Sequence, residues 1–183
     1  LSTRRQRQMC IRDRFYSFGM KTCLRYSKNE EEAQEILNDG FLKVFQKMEQ
    51  YNFKFPFYSW LQRILINSAI DYYRRNKRPA IFEIDNFKNY KSIRNEGELQ
   101  LSLKDVIKIL QSLPPAYRMV FNLYVIEGMT HPEIAKELGI SVGTSKSNLA
   151  KARKRLRKIF GDSIKLAVSI PVSYTHQTLP TSG

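Results

Sequence analysis

THPEIAKELGISVGTSKSNLAKARKRLRKIF, residues 130–160, decides the fold of this chain. Thr130 followed by Glu133 is a capping box, in which the hydroxyl accepts from the Glu133 amide and the glutamate reaches back. Pro132 sits in the first turn, where its missing N–H is not needed. The helix runs through Ile134, Ala135 and Leu138 and stops at Gly139, a residue suited to the left-handed conformation that closes helices. Ser141 is a good N-cap for the next helix. A capped helix, a short Gly turn and a second helix form the skeleton of a DNA-reading helix-turn-helix.

The second helix carries the chemistry. Val142, Ser145, Leu149, Ala152, Leu156 and Ile159 recur at spacings of three and four and predict one buried stripe. Thr144, Ser147, Lys151, Lys154 and Lys158 fall opposite, with Asn148 and Arg155 beside them. Residues 141–160 hold seven basic side chains and no acidic one. Small polar residues come first and basic ones follow, which suits a helix whose start enters the major groove while later turns track phosphates. Seven phosphate contacts would give a salt slope near about −6. Taken alone, a basic face is more often simply solvated; the capped helix and turn directly upstream favour DNA.

The whole chain agrees. It has 183 residues, 31 Lys or Arg against 17 Asp or Glu, and a net charge of +14. That excess asks for a polyanionic partner, with nucleic acid ahead of a membrane surface. Two cysteines, Cys10 and Cys23, cannot build a disulfide framework, and two histidines leave too few ligands for a zinc site. No apolar run approaches a membrane span, and no signal peptide is recognisable. The expectation is a reduced, cytoplasmic protein without cofactor or metal.

Working outward, the chain reads as all-α, with two small helical domains joined by a flexible linker. Residues 103–160 form the helix-turn-helix domain. Residues 79–102, rich in charge and Asn, read as the linker. Residues 15–78 form a first helical domain, interrupted by a turn at Tyr51 to Ser59 around Pro56. Residues 1–14 read as a disordered or non-native end, and so does the tail 161–183, above all from 171. Removing residues 1–14 and 171–183 takes away five Arg and one Asp and leaves a net charge of +10, so the basic character survives.

Two features of the first domain need a task. Glu30, Glu31, Glu32, Glu35 and Asp39 make one helix acidic within a basic protein; the helix dipole favours the first three but not Asp39. The segment YSWLQRILINSAIDYYRRNKR, residues 58–78, places Tyr72 and Tyr73 beside Arg74, Arg75, Lys77 and Arg78. Asn67 and Ser68, poor helix-interior residues, predict a short break or cap there. Aromatics beside cations suit stacking of unpaired bases above a backbone. The plainer reading is a core Tyr pair on a basic helix end.

The stretches AQEILNDGFLKVFQKM, PFYSWLQRILINSAIDYYRRNKR and LQSLPPAYRMVFNLYVIEGMTHPEIAKELGISVGTSKSNLAKARKRLRK, in that order, resemble bacterial RNA polymerase sigma factors of the extracytoplasmic-function group. The resemblance spans residues 15–160. It implies that Gln34, Glu35, Asn38, Asp39, Phe41 and Leu42 dock on the clamp of core RNA polymerase. It assigns Asn67, Asp71, Tyr72, Tyr73, Arg74 and Arg75 to capture of flipped −10 bases, with Trp60 packing the melting helix. It assigns Ser141, Gly143, Thr144, Ser145, Lys146, Ser147, Asn148, Lys151, Arg153 and Arg155 to the −35 duplex. An anti-sigma factor is a further partner that such proteins often have. Asn38 stands where the group usually has Gln, and Ser145 and Asn148 where Val and Arg are common, which bears on promoter sequence rather than on function.

The implied function is a non-catalytic specificity subunit that binds core polymerase, recognises promoter DNA and helps melt it. A free-standing helix-turn-helix regulator, binding duplex DNA as a dimer, would explain residues 103–160 but leave the acidic helix without a task. A nuclease would need convergent carboxylates with His or Lys, and Glu35 with Asp39 is the only helical carboxylate pair at a useful spacing in the first domain. His131 reads as an exposed first-turn residue without a role.

Overall fold

The computed structural model describes residues 2–76 and 102–160, with backbone only at 2–5, 7, 8 and 160. All regular structure among the described residues is helical: α1 (Ser2–Leu24), α2 (Glu30–Gln46), a 3₁₀ turn (Met48–Gln50), α3 (Phe57–Arg75), α4 (Leu103–Ser112), α5 (Pro115–Phe121), a π turn (Asn122–Ile126), α6 (His131–Leu138) and α7 (Val142–Phe160). The expected linker, save Ser102, and the tail lie outside the described residues, as do Lys77 and Arg78.

The first three helices form one bundle around Cys23, Ile36, Leu37, Val44, Leu61 and Leu65, all at most 1% exposed. Glycines let these helices approach closely. A Cβ on Gly19 of α1 would lie 2.6 Å from Leu37 Cδ1, and one on Gly40 of α2 would lie 2.5 Å from Leu65 Cδ2. Helix α2 starts at Asn29, whose side chain accepts from the Glu32 amide at 2.9 Å. Three glutamates in its first turn complement the positive end of the dipole.

Two expectations change here. Residues 2–14 are the first turns of α1 rather than a disordered end, and Arg12 Nη2 donates to Asn38 Oδ1 at 3.3 Å. Helix α3 runs unbroken through Asn67 and Ser68. Ser68 is buried because its small side chain lies beside Gly40 at the α2–α3 crossing; packing need, not capping, put a serine there.

In the second half the local grammar holds. Ser102 with Asp105 caps α4, Thr130 with Glu133 caps α6, and Gly139 closes α6 at φ 60°. Ser141 Oγ accepts from the Thr144 amide at 3.0 Å. The stripe of α7 is buried at Ser145, Leu149, Ala152, Leu156 and Ile159, while Val142 opens to solvent at 38%.

Hydrogen bonds also run between the two halves. The C-terminal end of α1 leaves carbonyls without helical partners, and the second half supplies donors. Gln111 Nε2 reaches Leu24 O at 3.3 Å, Asn122 Nδ2 reaches Arg25 O at 2.7 Å, and Arg118 Nε reaches Tyr26 O at 3.1 Å. Arg118 is 2% exposed and also donates to Gln111 O and Leu113 O. Burial lowers its pKa to about 10, so it keeps its charge at neutral pH.

Candidate nucleic-acid interface and docking face

Helix α7 presents the basic face. Ser141, Gly143, Thr144, Lys146, Ser147 and Lys151 are exposed, as are Lys154, Arg157 and Lys158; Asn148, Arg153 and Arg155 are half-buried. Tyr117 of α5 lies under two of the cations, with Lys151 Nζ 5.9 Å and Arg155 Cζ 5.2 Å from its ring centre. Such contacts hold long side chains extended along the helix.

Ser145 leaves the base-reading set. It is fully buried, and its hydroxyl lies 2.9 Å from His131 Nδ1. His131 is half-buried and stacks on Tyr124 at 4.6 Å, so it ties α6 to α7 rather than standing idle in solvent. Burial, then the charges of Lys146 and Arg153, lower its pKa below the ordinary 6.5. Arg153 also turns inward: its guanidinium sits 5.8 Å from the Tyr124 ring centre, and its Nε is buried without a hydrogen-bond partner.

On α3 the expected −10 residues divide between two faces, because each helical step rotates a side chain by about 100°. Asn67 and Asp71 line a cleft with Lys43, Gln46, Lys47, Arg63 and, from α6, Glu137. Lys43 Nζ donates to Asp71 Oδ2 at 2.7 Å, and Arg74 at the cleft edge pairs with Glu137 at 3.4 Å. Tyr72 and Arg75 turn instead toward α2, lining a hollow with Glu35, Asn38, Asp39 and Asn76. Tyr73 is half-buried, and desolvation raises its hydroxyl pKa. The four consecutive residues therefore do not act as one aromatic-basic cluster.

The acidic face of α2 is not unpaired. Arg75 Nη2 donates to Asp39 Oδ2 at 2.7 Å, and this bond raises the arginine pKa. Burial, then the charges of Glu32 and Glu35, raise that of Tyr72. Gln34 accepts from Tyr16 at 2.7 Å and donates to Asn38 at 3.2 Å. Phe41 is 2% exposed and belongs to the core, so it cannot touch a partner directly, whereas its neighbour Leu42 is 57% exposed.

Two features escaped the sequence reading. Arg63 and Lys47 are exposed on the same cleft as Asn67. The loop before α3 exposes Phe53 at 89% and Phe55 at 37%, around Lys54, with Tyr58 at 52% just beyond. Tyr51 packs edge-on against Phe53 and Phe57 and tilted against Trp60, with ring centres 5.0–5.4 Å apart, and anchors that loop. The signal was an aromatic at every second position from Tyr51 to Phe57, more than one turn needs. Among the described residues, no group of three or more His, Cys, Asp or Glu could hold a metal ion, and no helix is long and apolar enough to cross a membrane.

Comparison with known proteins gives this geometry its context. The chain is 28% identical over 137 residues to the ECF RNA polymerase sigma-E factor of Escherichia coli K12, covering 68% of this chain and 72% of that protein. It is 29% identical over 153 residues to the ECF RNA polymerase sigma factor SigE of Mycolicibacterium smegmatis, covering 79% and 56% respectively. Among solved structures it is similar to the sigma factor RpoE in complex with the anti-sigma factor NepR from Bartonella quintana, with TM-score 0.45, 20% identity, and 87% and 97% coverage. It is also similar to CnrH in complex with the cytosolic domain of CnrY, with TM-score 0.43, 24% identity, and 84% and 87% coverage. The family models for sigma-70 region 2 and sigma-70 region 4 match residues 12–79 and 103–156, one on each helical half and in that order. The chain belongs to the sigma-70 family, in its extracytoplasmic-function group.

Proposed function

We propose that this protein is a promoter-specificity subunit that acts on core RNA polymerase and on both duplex and melted promoter DNA. The observation that carries the reading is the outer face of α7, where polar Ser141, Thr144, Ser147 and Asn148 lead into a run of exposed lysines on a helix fixed by its buried stripe. Its start is the part that enters a major groove, and its later turns meet phosphates. The acidic face of α2, with exposed Leu42 beside it, is the face for a basic protein surface. An anti-sigma factor is a further protein partner under this reading.

The first half takes the unpaired strand. Flipping bases out of a duplex costs a few kcal/mol, and stacking on aromatics returns about 1–3 kcal/mol per base. Phe53 and Phe55 are the exposed rings with Lys54 between them, and on the α3 cleft Arg63 offers a cation and Asn67 a polar group for a base edge. Nothing in this scheme asks the protein for bond-making chemistry.

Run-off transcription with core polymerase tests the reading. Specific initiation that requires this protein is expected. Failure to associate with core by a folded protein that still binds duplex DNA would instead make it a free-standing regulator.

A further inference from the structure

The basic run of α7 is not spread evenly over solvent. Lys151 and Arg155 lie four positions apart and share one side of the helix, where two like charges repel and tend to splay apart. Tyr117 of α5 offsets that repulsion. Its ring centre lies 5.9 Å from Lys151 Nζ and 5.2 Å from Arg155 Cζ, both within reach of the negative face of the ring. Tyr117 is itself half-buried and packs on the core, so the ring is a fixed point for both cations. Arg153, between them in sequence, goes to a different ring: its guanidinium lies 5.8 Å from the centre of Tyr124, and its Nε is buried. Two tyrosines thus sort the three cations, and Tyr117 gathers Lys151 with Arg155.

We propose that Tyr117 is a positioning residue for duplex binding, one that arranges two phosphate-directed cations before DNA arrives. A free lysine or arginine loses rotamer freedom when a phosphate immobilises it, which costs a few-fold in affinity per side chain. With both side chains already drawn over one ring, most of that loss is taken on folding, and the pair meets the DNA backbone as a unit. Tyr117 touches no DNA in this scheme. Its role rests on the assignment of α7 to duplex DNA, and its effect is uniform across sequences, since phosphates carry no sequence.

The test uses the full chain and a short fluorescein-labelled duplex of arbitrary sequence, titrated at several salt concentrations. Tyr117→Phe keeps the ring, Tyr117→Leu replaces it with an aliphatic side chain, and urea unfolding checks that each variant is folded. The Leu variant should bind about tenfold more weakly and the Phe variant like the parent. The salt slope should be the same in all three, because the phosphates neutralised are the same. Replacing Lys151 and Arg155 together with Ala should lower the slope by about two, and adding Tyr117→Leu to that pair should cost nothing more. In the free parent, NMR relaxation should report an ordered Arg155 Nε.

Equal binding by the Leu variant and the parent would overturn the positioning role. So would an equal loss with and without Lys151 and Arg155, which would make Tyr117 a packing residue only. Tighter binding by the Leu variant would also overturn it, by showing that the cations must leave the ring to reach DNA. If the Leu variant does not fold, the relaxation measurement decides: an ordered Arg155 side chain supports the role and a freely mobile one overturns it. A folded parent that binds no duplex at any salt would remove the reading of α7 itself, and the role of Tyr117 with it.

Discussion

His131 Nδ1 lies 2.9 Å from the buried hydroxyl of Ser145, and this contact joins the start of α6 to the start of α7. With the imidazole stacked on Tyr124, it sets the angle at which α7 meets a groove. Replacing His131 with Ala removes one hydrogen bond and one ring contact, a loss of about 1–2 kcal/mol. Duplex binding should weaken for all sequences alike, because no base contact is lost. Denaturant unfolding and gel shifts on two unrelated duplexes check this; weakening confined to one sequence would make His131 a base reader.

The same imidazole predicts a pH dependence. Its pKa is lowered in the folded protein, so between that value and the ordinary 6.5 the unfolded chain binds more protons than the folded one. The contribution is therefore complete above pH 6.5 and is lost as pH falls through the folded value. Urea midpoints measured at steps from neutral to mildly acidic pH should decline less steeply for His131→Gln than for the parent. Parallel declines would show that other groups govern the acid limb.

Asn148 and Lys154 separate reading from anchoring. Asn148 is half-buried on the leading part of α7, where an amide can bond an adenine edge, and Lys154 is exposed further along. Asn148→Ala should change preference at one upstream position by about 1–3 kcal/mol. Lys154→Ala should weaken every duplex and reduce the salt slope by about one. Binding-site selection at two salt concentrations distinguishes them, and equal uniform losses would deny Asn148 a base.

Legibility followed the range of the interactions involved. The turn between α6 and α7 was readable because a Thr-Glu box, a Gly and a Ser act within a few residues of themselves. Ser68 misled because a serine that caps and a serine that fits under a neighbouring backbone look alike until Gly40 is placed against it. Tyr72 to Arg75 read as one cluster because adjacency in sequence hides the rotation that sends Tyr72 and Arg75 to α2 and Arg74 to Glu137. Arg118 and Asn122 left a faint trace as polar residues inside the apolar run YRMVFNLYVI, but their partners lie more than ninety positions away. No local rule reaches that far.

Phe53 predicts a melting defect without a folding defect. At 89% exposure it contributes little to the core, so Phe53→Ala should leave stability within about 0.5 kcal/mol of the parent. Loss of one stacked base should weaken binding to a fork junction by about 1–3 kcal/mol, with duplex binding by α7 unchanged. Permanganate reactivity of promoter thymines, followed with core polymerase, checks the step. Unchanged reactivity would return the role to the α3 cleft alone.

Phe41 and Leu42 are neighbours on α2 with opposite surroundings, and the contrast tests the docking face directly. Phe41 packs in the first-half core at 2% exposure, while Leu42 stands out at 57%. Phe41→Ala should destabilise the protein by about 3–5 kcal/mol and impair every activity in proportion to unfolding. Leu42→Ala should leave the urea midpoint nearly unchanged and yet reduce co-elution with core RNA polymerase, because it removes the exposed apolar side chain beside the acidic face. Combining Leu42→Ala with Asp39→Lys should abolish co-elution. Asp39→Lys also breaks the bond to Arg75, so Arg75→Ala serves as the control; its retention of polymerase binding would assign the loss to the acidic face itself. Full co-elution of the Leu42→Ala and Asp39→Lys double variant would move the polymerase contact away from α2.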